Sequence, residues 1–201
     1  MRRIVLPALC LALLVPSPAG AAAKTVEVKD NIFEPAGVGL RRGTVTWMRS
    51  SSGNPHNVRS DDSLFRSGDP VSGPIDYSVT VSAGTFPYYC EVHGGPGGAG
   101  MAGVVRVRPV VRGGPSGPAF TVIWGAKGSD VGNVYDIQYR KGRNGAWKKW
   151  FDDVAKIRGM FGKNESPIPK DRIRGVFFFR ARSAFAGVGV SDWSPRTRFR
   201  A

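Results

Sequence analysis

Tyr89-Cys90-Glu91-Val92-His93 sets a thiol and an imidazole three positions apart, and a glycine-rich run then leads to Met101. Far upstream, Asn54-Pro55-His56-Asn57 supplies a second imidazole, and the chain has only two histidines. One thiolate, two imidazoles and one thioether make the donor set of a copper ion poised between Cu(II) and Cu(I). Two imidazoles and the thiolate would bind in a trigonal plane, with the thioether as a weak axial partner. The run Gly94-Gly95-Pro96-Gly97-Gly98-Ala99-Gly100 gives the backbone the freedom to turn and return Met101 to Cys90. This reading takes Cys90, His93 and Met101 from one loop and His56 from a distant one.

Competing chemistries fit less well. A Cys-x-x-His pair suits zinc, but structural zinc takes four Cys or His ligands and three are available. Cys90 as nucleophile with His93 as base would place one in a strand after two tyrosines and the other on a glycine turn, a poor setting for activation. Copper storage calls for many more thiols or thioethers. Met48 reads as packing beside a strand, and Met160 lies far along the chain. With His56 and His93 used, no histidine remains for a second copper. The expectation is therefore an electron carrier and not an oxidase or nitrite reductase.

The elements that must hold these residues are strands. Val26 and Val28, Gly43 to Trp47, Tyr77 to Val81 and Val105 to Arg108 alternate apolar with polar, between Gly, Pro, Ser and Asn. After Pro109 the same pattern resumes at Ala119 to Trp124, Val134 to Arg140, Trp147 to Phe151 and Val176 to Arg182. No window carries a helical stripe. The pattern predicts an all-β chain of two sandwiches. The expected divisions are 1–23, 24–108, a linker or short first strand at 109–117, and 112–201.

Residues 1–23 have a basic start, an apolar middle and a small-residue end at Ala19 to Ala23, the order of a signal peptide. The expectation is an exported protein, periplasmic, cell-surface or extracellular, with no transmembrane segment. Removing the signal leaves Cys90 as the single cysteine, so an internal disulfide is excluded. The net charge of +14 is uneven. Residues 24–110 hold nine basic and eight acidic side chains, and 111–201 hold eighteen and seven. Such asymmetry marks separate units meeting different surroundings.

The stretch from about 25 to 108 resembles the plastocyanin-like cupredoxins. The resemblance rests on Val45-Thr46-Trp47, Pro55-His56-Asn57-Val58, Gly84-Thr85-Phe86-Pro87-Tyr88-Tyr89-Cys90, His93-Gly94 and Met101-Ala102-Gly103-Val104-Val105. It implies a Greek-key β-sandwich with one type 1 copper, held by His56, Cys90, His93 and Met101. It also implies that Asn57 ties the two ligand loops together. The His93-to-Met101 spacing exceeds that of the family's shortest members. Residues 112–201 resemble a fibronectin type III domain, through Trp124, Tyr135 to Arg140, Trp147, Phe179 to Ser183 and Ser191-Asp192-Trp193-Ser194-Pro195. That resemblance implies a spacer or binding module. Its expected corner tyrosine is replaced by Phe177.

Arg180 and Arg182 share one strand face, and Arg196, Arg198 and Arg200 another. Trp147, Trp150 and Trp193 are candidates to stack with them. An exported chain has little call on nucleic acid, so the partners expected are a redox protein and a polyanionic surface. Gly94, Gly95 and Pro96 around His93, with Arg180 and Arg182, are the expected docking residues.

Overall fold

The computed structural model describes residues 22–113, 119–163 and 165–201. The expected signal segment up to residue 21 and the centre of the expected linker, 114–118, lie outside the described residues. The described residues are all-β, apart from one 3-10 turn at Lys170–Arg172. None of their helices is long and apolar enough to cross a membrane.

The N-terminal sandwich contains β1 (Ala22–Lys29), β2 (Ile32–Glu34), β3 (Gly37–Leu40), β4 (Gly43–Arg49), β5 (Arg59–Ser60), β6 (Ile75–Val81), β7 (Gly84–Gly95) and β8 (Ala99–Val107). One sheet runs β2-β1-β4-β6 and the other β3-β8-β7-β5. β1 lies parallel to β4 and β3 parallel to β8. The period of two explains the core. β4 turns Val45 and Trp47 inward, β7 turns in Phe86, Tyr88 and Cys90, and all five are fully buried. Trp47 packs edge-on against Tyr88 across the sandwich, with ring centroids 5.1 Å apart. Cys90 is thus the last inward residue of a strand whose earlier inward residues anchor it in the core.

The C-terminal sandwich contains β9 (Val110–Arg112), β10 (Phe120–Ile123), β11 (Val134–Lys141), β12 (Lys148–Val154), β13 (Arg158–Phe161), β14 (Val176–Phe185), β15 (Gly189–Val190) and β16 (Thr197–Arg200). β13-β10-β9 form one sheet; β12-β11-β14-β15 form the other, with β16 also on β14. Part of the expected linker is therefore strand: β9 pairs with β10. Trp150 corrects the expected stack. It lies in the core against Phe161, at 4.9 Å between centroids, while Trp147 lies outside. Trp147 stands just before β12, while Trp150 is the buried position of that strand. Met48 also departs from expectation: it is exposed, not packed.

The two sandwiches meet along residues 80–85. Ala83 N–H donates to the Trp124 carbonyl (2.7 Å), and Thr85 exchanges backbone hydrogen bonds with Asp192 (3.0 and 3.1 Å). Ser183 Oγ donates to the Ala83 carbonyl (2.9 Å). Val131 completes the N-terminal core, and Ala83 belongs to the C-terminal one.

Candidate metal centre

Cys90 Sγ, His56 Nδ1 and His93 Nδ1 form a compact triangle. The sulfur lies 3.6 Å from the His56 nitrogen and 3.7 Å from that of His93, and the nitrogens are 3.1 Å apart. A point in the plane of these atoms sits about 2 Å from each, close to the length of a bond between a first-row metal and N or S. Cys90 and His56 are fully buried and His93 is half-buried, so one imidazole edge reaches solvent. Among the described residues this is the one cluster of three or more His, Cys, Asp or Glu side chains disposed to hold a metal.

Backbone register places Met101. Tyr89 pairs with Ala102 and Gly94 with Gly100, so four residues, Cys90 to His93, arch opposite the single residue Met101. Met101 is buried at the end of the same core as Cys90. The expected loop is a bulged hairpin: the extra residues form the pairs Gly94–Gly100 and Gly95–Ala99 and a turn at 96–98 beyond the arch. Gly100 has φ +62°, and a β-carbon there would strike the His93 carbonyl. The turn is pinned from outside by Gly97 N–H donating to Asp61 Oδ2 (2.7 Å).

The His56 loop is held by a residue the sequence reading passed over. Arg49 is the inward residue at the end of β4, and its buried guanidinium donates to the carbonyls of Asn54 (2.7 Å), Val71 (2.9 Å) and Gly73 (2.7 and 3.2 Å). His56 and Val71 also exchange backbone hydrogen bonds (3.0 and 2.9 Å). Burial lowers the His56 pKa, and the nearby His93 and Arg49 add to the effect despite Asp30 at 3.4 Å. Burial thus favours the neutral ring, the form a metal needs.

Asn57 joins the two ligand segments. Its Oδ1 accepts from Glu91 N–H (2.9 Å), and its Nδ2 donates to the Gly68 carbonyl (2.9 Å) and to the Glu91 carboxylate. Glu91 also accepts from Arg59 (2.6 Å) and from Arg66 Nε (2.9 Å). Burial pushes the Glu91 carboxyl up, but the hydrogen bonds from Arg59, Arg66 and Asn57 outweigh it and hold the pKa at about 2. Glu91, Arg59 and Arg66 escaped sequence reading, because ion pairs 25 and 32 residues apart leave no local pattern.

The expected docking residues fall in two places. Gly94, Gly95 and Pro96 extend from His93, next to Val92, which is 49% exposed. Arg180 and Arg182 lie on the outer face of the other sandwich and are already engaged, with Gln138 (2.6 and 2.9 Å) and Asp136 (2.7 Å).

A buried thiolate and two imidazoles around one point, with a thioether opposite the arch, fit a copper ion. No family model matches the chain. It is 37% identical over 89 residues to plastocyanin of Scenedesmus fuscus, covering 38% of this chain and 87% of that protein. It is 36% identical over 87 residues to the chloroplastic plastocyanin of Hordeum vulgare, covering 38% of this chain and 54% of that protein. Over 87 residues it is 33% identical to plastocyanin of Daucus carota, again 38% of this chain and 87% of the relative. The chain thus spans about half the length of the Hordeum vulgare protein and most of the other two. The donor triangle, the register that seats Met101 and this identity converge on one assignment: through its N-terminal sandwich, the chain belongs to the plastocyanin family.

Proposed function

We propose that the protein is an exported type 1 copper protein that carries single electrons, with His56, Cys90, His93 and Met101 as the ligands. The observation that carries this reading is the Cys90–His56–His93 triangle, with its 3.6, 3.7 and 3.1 Å edges. Copper bound there supplies a one-electron couple between Cu(II) and Cu(I). The chain's own residues supply rigidity and access. Cys90 is fixed by the core-facing register of β7, His56 by Arg49 and the Val71 bridge, and both segments by Asn57 and Glu91. A site so braced keeps its geometry when the charge at its centre changes. The half-buried His93 edge, between Val92 and Gly94, is the exit for the electron.

The C-terminal sandwich is read as a fibronectin-like docking or spacer module. Ser191-Asp192-Trp193-Ser194-Pro195 and the Trp124 and Tyr135 core positions support that reading.

Titration of the purified full chain with Cu(II) is expected to give an intense visible thiolate-to-copper band at one equivalent. A colourless product sinks the reading. Cys90→Ser is expected to abolish the band while leaving the far-UV spectrum intact. Met101→Leu is expected to keep it and to move the reduction potential more than the copper affinity.

A further inference from the structure

The C-terminal sandwich carries a continuous stack of arginines and aromatics on its outer face. Trp193 lies between Arg180 and Arg182, at 4.6 and 4.9 Å from its ring. Trp147 lies between Arg180 and Arg140, at 4.3 and 4.6 Å. Phe178 lies between Arg140 and Arg196, at 5.2 and 5.1 Å. Each aromatic thus has two guanidiniums against it. Burial lowers the Arg180 pKa, and the charges of Arg140 and Arg182 lower it further. Like charges are held close here by the ring faces.

The end of the stack nearest Arg196 has no carboxylate. Arg143, Arg196 and Arg198 rim a concavity of about 650 Å³ above Phe178. Pro195, next to Arg196, also lines a cleft of about 320 Å³ at the junction with the N-terminal sandwich, together with Arg41, Arg106 and Arg108. None of these six arginines has an acidic partner within 4.0 Å among the described residues. The outward positions of β3 beside Arg106 are Gly37 and Gly39, so bare backbone floors the cleft. The result is an arginine track that runs across both sandwiches.

From this track we infer a binding site for an extended acidic polysaccharide, with uronate carboxylates seated on the free guanidinium edges. Guanidinium forks match carboxylates bidentately. Several features of the track select the polymer. The ring faces are occupied by arginines, which leaves no platform for nucleobases. The track lacks the exposed apolar anchors that centre a protein interface. The exposed apolar tip of the C-terminal sandwich, at Phe185, Val188 and Val190, lies on the β14–β15 hairpin, off the track, so the track offers a membrane nothing to insert. The inference rests on reading the C-terminal sandwich as a docking module and is independent of copper.

The test is binding of the copper-loaded full chain to polygalacturonate across a salt series, by calorimetry. Polyglutamate, a single-stranded DNA oligomer and anionic phosphatidylglycerol vesicles serve as comparators. The expected result is affinity that falls steeply with salt and exceeds that for every comparator. Arg196→Ala with Arg198→Ala, and separately Arg106→Ala with Arg108→Ala, should each weaken binding about tenfold or more. Arg158→Ala with Lys163→Ala, off the track, should leave it unchanged. All variants should retain the visible copper band and a single cooperative melt, lowered by no more than a few degrees where Arg196 leaves the Phe178 ring, which separates this result from failure of the carrier reading. Equal or tighter binding to any comparator, no binding to polygalacturonate, or indifference to the track variants overturns the inference.

Discussion

Asp62 shows how a single side chain sets a pH dependence here. Its Oδ1 accepts from Leu64 N–H (3.2 Å), while its Oδ2 is buried without a partner. Burial raises its pKa above the ordinary 3.8. A carboxyl raised in the folded state adds stability that is fully present below pH 3.8 and is lost as pH rises through the folded-state value. Asp62→Asn keeps the Leu64 hydrogen bond and removes the charge. It is expected to raise stability at pH 7 by about 1 kcal/mol, or about 3 °C in Tm. The gain should vanish near pH 3. A melt at pH 7 no higher than wild type removes this account. At this scale the donor triangle was legible because its residue types are rare in the chain: two cysteines and two histidines leave few combinations. Arg49 was not legible, since three carbonyl acceptors spread along the segment between β4 and β6 have no signature in the string.

The hairpin of β7 and β8 is the element on which the site depends. The spacing from His93 to Met101, longer than in the family's shortest members, reads in the string as a long loop. The arch absorbs four residues opposite one, and the remaining excess is folded into two glycine pairs beyond it. Sequence distance is therefore a poor guide to spatial distance at a bulge, where several residues of one strand face one of its partner. Asp61 anchors the far end of this hairpin at Gly97. Asp61→Ala is expected to keep the visible band but to shift the reduction potential and broaden the EPR hyperfine lines, with a stability loss of about 1 kcal/mol. An unchanged potential and EPR spectrum would show that the arch is rigid without the tie. The alternation rule that reads β7 correctly does not reach Trp147, which precedes β12, while Trp150 lies within that strand.

The molecule as a whole joins its two sandwiches through residues 80–85, not only through the segment that links them in sequence. Period-two patterning located four of the eight strands of each sandwich, but it carries no information about which edge of one sandwich meets the other. Backbone hydrogen bonds at Ala83, Thr85 and Asp192, with the Ser183–Ala83 contact, predict one cooperative calorimetric transition for the copper-free chain. A β-carbon at Gly84 would press on Ser191 Oγ and the Phe86 ring. Gly84→Val is therefore expected to split that transition in two and to lower the first Tm by several degrees, about 2 kcal/mol. A single, unshifted transition would show that the seam adds little coupling. The exchange of Val131 and Ala83 between cores also sets an order of events during synthesis. A chain emerging from the ribosome presents all eight strands of the N-terminal sandwich before Val131 exists to fill it, so that sandwich first closes around a gap. The apolar centre that supports Cys90 reaches its final packing only after the loop before β11 has been made, so a chain truncated between the two would lack part of the packing behind the thiol.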